Sequence, residues 1–138
     1  MRRDCFYFCP PFRVRFGEVD RQGIVYNGNY VAYTDFAFEE FLRSRGYSYR
    51  ELAEKHGSEV CHKKSTYEFV SSAYEGDMLE VGISKIKIGR KSFTMQFEIY
   101  RQGEDDLILL CESVYVGYDV ENRTSRPITD LMRALLSP

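Results

Sequence analysis

Apolar and polar positions alternate with a period of two in several stretches of the chain, and with a helical period in one. Phe12, Val14 and Phe16 alternate with Arg13 and Arg15, which predicts a strand with one buried face, opened by Pro10 and Pro11 and ended by Gly17. An irregular loop follows from Glu18 to Gly28. From about Gly28 to Arg45 the spacing is helical. Tyr30, Val31, Ala37, Phe38, Phe41 and Leu42 fall in one wide stripe, with Tyr33 and Phe36 opposite, so burial on more than one side is expected. Asn27 or Asn29 can cap the start, Arg43 and Arg45 suit the negative end of the helix dipole, and Gly46 is a natural stop. Residues 49–56 read as a short polar helix closed by Gly57.

Beyond Glu59 the pattern turns to strands. Val60, Cys61, Tyr67, Phe69 and Val70 mark one long strand, irregular around His62, Lys63 and Lys64. Residues 73–77 form a turn. Leu79, Val81 and Ile83 alternate, and then the parity changes to Ile86 and Ile88, the signature of a β-bulge. Gly89, Arg90 and Lys91 make the next turn. Phe93, Met95, Phe97 and Ile99 alternate cleanly, residues 103–106 turn again, and the stretch from Leu107 to Tyr118 is apolar on both faces in its first half, as a central strand is. Thr129 or Asp130 can cap a short terminal helix carrying Leu131, Met132, Leu135 and Leu136. The order is one strand, a long helix, then four strands expected in a meander. Segregation of helix from strands makes the fold class α+β: a curved antiparallel sheet wrapped around a long central helix, within a single domain over residues 1–138.

Composition adds exclusions. The 138 residues are 43% hydrophobic and 29% charged, enough for one real core and short for two. Eleven Tyr and ten Phe favour sheet and aromatic-lined surfaces. A net charge of −2 argues against a nucleic-acid partner, whose proteins are strongly basic. The first residues lack the sustained apolar core of a signal peptide, and no run reaches a membrane span, so a soluble, cytoplasmic protein is expected. Cys5, Cys9, Cys61, Cys111, His56 and His62 contain no paired Cys-x-x-Cys units. Free reduced thiols are the better reading, and no metal or cofactor is expected.

Chemistry concentrates between Glu18 and Tyr30. A carboxylate, Asp20, precedes turn-forming residues that run into a helix N-terminus, where unpaired N–H groups and the dipole favour developing negative charge. An isolated Asp before a glycine-containing loop is usually a solvated turn residue, and Glu18 reads better as a strand-end charge than as a second catalytic acid.

The pattern Asp20-x-x-Gly23-x-Val25-Tyr26-x-x-Asn29-Tyr30, followed by an aromatic helix, resembles the 4-hydroxybenzoyl-CoA thioesterase family of hotdog-fold proteins. The similarity continues through Tyr67-Glu68-Phe69, Gly76-Asp77-x-Leu79-Glu80-Val81, Gly89-Arg90-Lys91-Ser92-Phe93 and Cys111-Glu112-Ser113-Val114, and so spans nearly the whole chain. It implies a hotdog fold, hydrolysis of acyl-CoA to free acid and CoA, and a homodimer joining two sheets into one, in some members a dimer of dimers. It places active sites at the subunit interface, with the acid from one chain and part of the CoA site from the other. On that match Asp20 is general base or nucleophile, the Asn27 N–H faces the oxyanion, and Gly23 lets the loop turn tightly. Tyr26 and Tyr30 are candidate acyl-pocket residues, each equally an ordinary core residue. Arg90, Lys91 and Ser92 would hold CoA phosphates, with Lys63, Lys64 and Ser65 weaker candidates. Many relatives carry His where Asn27 stands, so acid–base work by an imidazole is not available here. The main rival is a non-catalytic acyl-CoA or acyl-carrier-binding hotdog module. A dehydratase ranks lower, because both histidines lie outside the motif.

Overall fold

The computed structural model describes residues 4–137. The outer faces of the chain are set by its longest alternating stretches. β1 (Tyr7–Phe8), β2 (Phe12–Arg13), β3 (Val60–Phe69), β4 (Met78–Ile88), β5 (Ser92–Arg101), β6 (Leu107–Asp119) and β7 (Thr124–Ser125) form one antiparallel sheet in the order β1-β4-β5-β6-β3, with β2 on β4 and β7 on β6. Three helices accompany it: α1 (Asn29–Ser44), α2 (Tyr49–His56) and α3 (Asp130–Leu136). This is the α+β hotdog arrangement. The bulge read from the parity change sits between Ile83 and Lys85, and the irregularity in β3 between His62 and Lys64.

The strands do not form a meander of four. β4, β5 and β6 do, but β3 pairs with β6 at the far edge instead of with β4. The burial pattern explains this. β3 is largely exposed and suits an edge, while β6 is paired on both sides, by β5 and by β3. The two strands lie three spacings apart, about 14 Å, well within the roughly 26 Å that residues 70–77 can span when extended.

Helix α1 also differs from expectation. Its buried residues are Tyr30, Tyr33, Thr34, Ala37, Phe38, Phe41 and Leu42. These recur at three and four positions, one stripe and not two. Tyr33 belongs to the core face, while Val31 and Phe36 are 41% and 38% exposed. That stripe packs on Phe93, Met95, Phe97, Leu79, Val81 and Ile83 from the sheet. Phe38 stacks on Tyr115 with ring centroids 5.0 Å apart, and Tyr115 stacks on Phe93 at 4.9 Å. Thr129 caps α3 by accepting from the Met132 N–H at 3.2 Å.

The first strand is shorter than the alternation predicts. Val14 is buried, but Phe16 is 80% exposed and begins a single 3-10 turn over Phe16–Glu18. Glu18 closes that turn by accepting from the Arg15 N–H and Nε, both at 2.9 Å, and by pairing with its Nη2. This local pairing outweighs extension of the strand by one apolar residue.

Candidate active site

The loop between the 3-10 turn and α1 is built from local hydrogen bonds. Val19 bridges Val25, so residues 20–24 form a closed excursion. Within it the Asp20 N–H donates to the Ile24 carbonyl at 2.8 Å and the Gly23 N–H to the Asp20 carbonyl at 2.9 Å. Asp20 Oδ1 accepts from the Gln22 N–H at 2.8 Å. Gly23 has φ +80°, a conformation L side chains rarely adopt, so a glycine is needed to bring the chain back. The loop is then anchored to the connection between β3 and β4. Ile24 bridges Tyr74, the Val25 N–H donates to the Ala73 carbonyl at 2.9 Å and the Glu75 N–H to the Gly23 carbonyl at 3.2 Å. That connection is itself held by Arg101, which pairs with Asp77 at 2.9 Å and donates to the Ser72 carbonyl at 2.7 Å.

Asp20 is half-buried in a groove of about 510 Å³ whose walls include Phe16, Val19, Arg21, Gly23 and Glu75. Phe16 and Glu75 join it from outside the sequence motif. Neither carried a signal, because one was read as a buried strand residue and the other arrives from a distant segment. Glu18 is occupied elsewhere: besides Arg15 it accepts from the Tyr33 hydroxyl at 3.0 Å. Burial works against its charge, but the Arg15 and Tyr33 hydrogen bonds prevail and hold its carboxyl below the ordinary range. Burial, together with the Glu18 carboxylate, pushes the Tyr33 phenol up. Glu18 is thus an ion-paired brace under the loop.

At the start of α1 the cap is Gly28, with no side-chain cap, and not Asn27 or Asn29. The Asn29 side chain instead donates to the Glu18 carbonyl at 2.7 Å, tying helix to loop. N–H groups of Asn29, Tyr30 and Val31 turn back to the carbonyls of Tyr26, Asn27 and Gly28 at 2.9, 3.3 and 3.3 Å. Among the described residues none accepts from the Asn27 N–H, and Asn27 is exposed. Tyr26 is 60% exposed beside it. Tyr30 is 3% exposed and packs against Tyr33 and Phe69 at 5.7 and 5.8 Å, so it is a core residue of this chain.

The structure does not bring Arg90, Lys91 and Ser92 near Asp20 within one chain. The Asp20 loop meets residues 73–75, just before β4, whereas the 89–92 turn follows its other end. The eleven residues of β4 separate the two by about 35 Å along the strand. Lys63 and Lys64 are exposed on edge strand β3, and the Ser65 hydroxyl is 2.8 Å from that of Ser113. A second cleft, of about 330 Å³, opens between α1, α2 and the start of β3, lined by Phe38, Tyr49, Cys61 and Tyr115, with Asp35 and His62 paired at 3.6 Å. The four cysteines are free thiols. Among the described residues no group of three or more His, Cys, Asp or Glu is placed to hold a metal ion, and no helix is long and apolar enough to cross a membrane.

A sheet curved about one long helix is the hotdog architecture, and the proteins it resembles place the chain in the thioester hydrolase class. The model of the Thioesterase-like superfamily matches residues 14–136, and the chain belongs to that family. It is 33% identical over 90 residues to a putative esterase of Aquifex aeolicus, covering 65% of this chain and 70% of that protein. It is 25% identical over 123 residues to a 1,4-dihydroxy-2-naphthoyl-CoA hydrolase of Thermosynechococcus vestitus, covering 89% and 84%. The crystal structure of 4-hydroxybenzoyl CoA thioesterase from a Pseudomonas strain superposes with a TM-score of 0.80 over 94% of this chain and 97% of that one, at 22% identity, which shows the shared fold.

Proposed function

We propose that this thioester hydrolase acts on an acyl-CoA, with Asp20 as general base or nucleophile and the Asn27 N–H as oxyanion donor. One observation carries the reading: a half-buried carboxylate and an uncommitted N–H stand on either side of a loop pinned to a helix N-terminus. A thioester has a good leaving group, so a strong general acid is dispensable. What the reaction needs is an activated nucleophile and a preorganised donor for the developing oxyanion. Asp20 either deprotonates water or attacks the carbonyl itself, and the tetrahedral oxyanion is met by the helix-start N–H.

The separation of Asp20 from Arg90 supports a site shared between two copies. Among the described residues, edge strand β3 has a ladder on one side only, against β6. A second copy pairing along it would join two sheets and set one chain's acid opposite the other's cationic turn. The 1,4-dihydroxy-2-naphthoyl-CoA hydrolase relative favours an aromatic acyl group. The test is free-thiol release from short aliphatic, long aliphatic and aromatic acyl-CoAs, with light scattering to give the oligomeric state. Turnover is expected to be fastest with an aromatic acyl group, in a dimer or larger assembly. Tight binding of acyl-CoA without thiol release from any of them favours the non-catalytic binding module instead.

A further inference from the structure

The turn joining β4 to β5 is held by bonds that come mostly from elsewhere in the chain. The Gly89 carbonyl accepts from Arg133 Nη2 at 3.0 Å, and the Arg90 carbonyl from the Ile128 N–H at 3.0 Å and from Arg133 at 3.4 Å. The Lys91 carbonyl accepts from the Gly117 N–H at 2.9 Å and the Ser92 carbonyl from the Gly89 N–H at 2.7 Å. The carbonyls of Gly89, Arg90 and Lys91 are therefore drawn toward the rest of the protein, while that of Ser92 closes the hairpin. A planar trans peptide sends its N–H opposite to its carbonyl, so the N–H groups of Arg90 and Lys91 face outward, beside their own exposed cationic side chains. Outward N–H groups and two cations on one turn form a receptor for phosphate.

The segment that braces this turn runs from Arg126 to Arg133. It crosses β6 so closely that a Cβ on Gly117 would lie 2.3 Å from the Arg126 carbonyl oxygen and 3.0 Å from that of Pro127. It then reaches the turn through Ile128 and, one turn into α3, through Arg133. One guanidinium nitrogen, Nη2, serves both carbonyls.

We propose that Arg133 is a positioning residue, which locks the 89–92 turn in the shape that lets Arg90 and Lys91 grip the phosphates of the CoA nucleotide. The inference rests on the acyl-CoA reading above and deepens it. A nucleotide-reading turn favours CoA over an acyl-carrier protein, whose phosphopantetheine arm lacks the nucleotide.

Two measurements test it in parallel. Adenosine 3′,5′-bisphosphate, the phosphate-bearing end of CoA, is titrated calorimetrically into the wild-type protein and into Arg133→Ala and Arg133→Lys. Steady-state rates are measured with an acyl-CoA and with the matching acyl-pantetheine. Arg133→Ala is expected to weaken bisphosphate binding by about tenfold, as the loss of a charge-assisted contact does. It should raise KM for acyl-CoA in step, leave kcat unchanged and leave acyl-pantetheine kinetics untouched. Arg133→Lys keeps the charge on a shorter side chain that holds the two carbonyls less well, and should fall between. A role confined to folding would depress both substrates together. Wild-type bisphosphate affinity in both variants overturns the proposal, as does an equal loss with acyl-pantetheine. If the wild-type protein turns over no thioester while the bisphosphate series still separates the variants, the acyl-CoA reading fails and the phosphate turn stands.

Discussion

Replacing Asp20 by asparagine separates the chemistry of the loop from its shape. The loop depends on Asp20 Oδ1 accepting from the Gln22 N–H at 2.8 Å and on backbone bonds to Gly23 and Ile24. An asparagine carbonyl oxygen can take the same Gln22 bond, so the turn survives while basicity and charge are lost. A positioned acid or base contributes about 10²–10⁴ in rate, or roughly 3–5 kcal/mol of barrier at about 1.4 kcal/mol per decade. Asp20→Asn should therefore lower kcat and kcat/KM together by at least about a hundredfold, because the interaction it removes is made in the transition state. Asp20→Ala should lose the same chemistry and also the turn acceptor. That bond is worth roughly 0.5–1.5 kcal/mol, at the low end in an open groove, so its melting temperature should fall slightly below that of Asp20→Asn. The assay is thiol release at saturating acyl-CoA, with thermal unfolding and light scattering on each variant. Turnover by folded Asp20→Asn within about tenfold of wild type, well inside the expected loss, would refute the catalytic assignment.

Three further outcomes follow from the structure. Glu18 is depressed below the ordinary carboxylate range, so its contribution is present above the unfolded pKa of about 4.3 and disappears as pH falls through the lower folded value. The stability gap between wild type and Glu18→Gln, measured by denaturant titration, should be steady from about pH 7 to 5 and close below about pH 4. Gly117→Ala should destabilise by about 1–3 kcal/mol through overpacking against Arg126 and Pro127, read from its melting curve, and a wild-type melt would show that the segment moves away freely. Burial, aided by Glu98, pushes the Cys5 thiol up to about 12, and burial pushes Cys9 up to about 11. Iodoacetamide at about pH 8 should thus spare both in the native protein and label them after unfolding, with mass mapping of the modified peptides as the readout.

The α+β class, the long helix, both strand irregularities and the terminal helix cap were legible in the sequence, because each rests on local periodicity or on one capping residue. The family resemblance, not local periodicity, picked out Asp20 and Gly23, and the loop they shape is held both by bonds within residues 18–29 and by bonds to residues 73–75. Other features depend on contacts between distant segments, and no local pattern encodes those. The position of β3 depends on its pairing with β6, a segment distant in the sequence. The core face of α1 shows Tyr33 inward and Val31 outward only once the sheet is in place. Phe16 leaves its strand because Arg15 and Glu18 pair across the turn. The commitment of Glu18 to Arg15 and Tyr33, the burial of Tyr30, and the bracing of the 89–92 turn by Arg133 likewise appear only in the folded chain. The sequence by itself determined which residues could carry the chemistry. Only the tertiary structure decided which of them are already occupied, as Glu18 is by Arg15 and Tyr33, and that the segment anchoring the Asp20 loop and the 89–92 turn lie at opposite ends of β4.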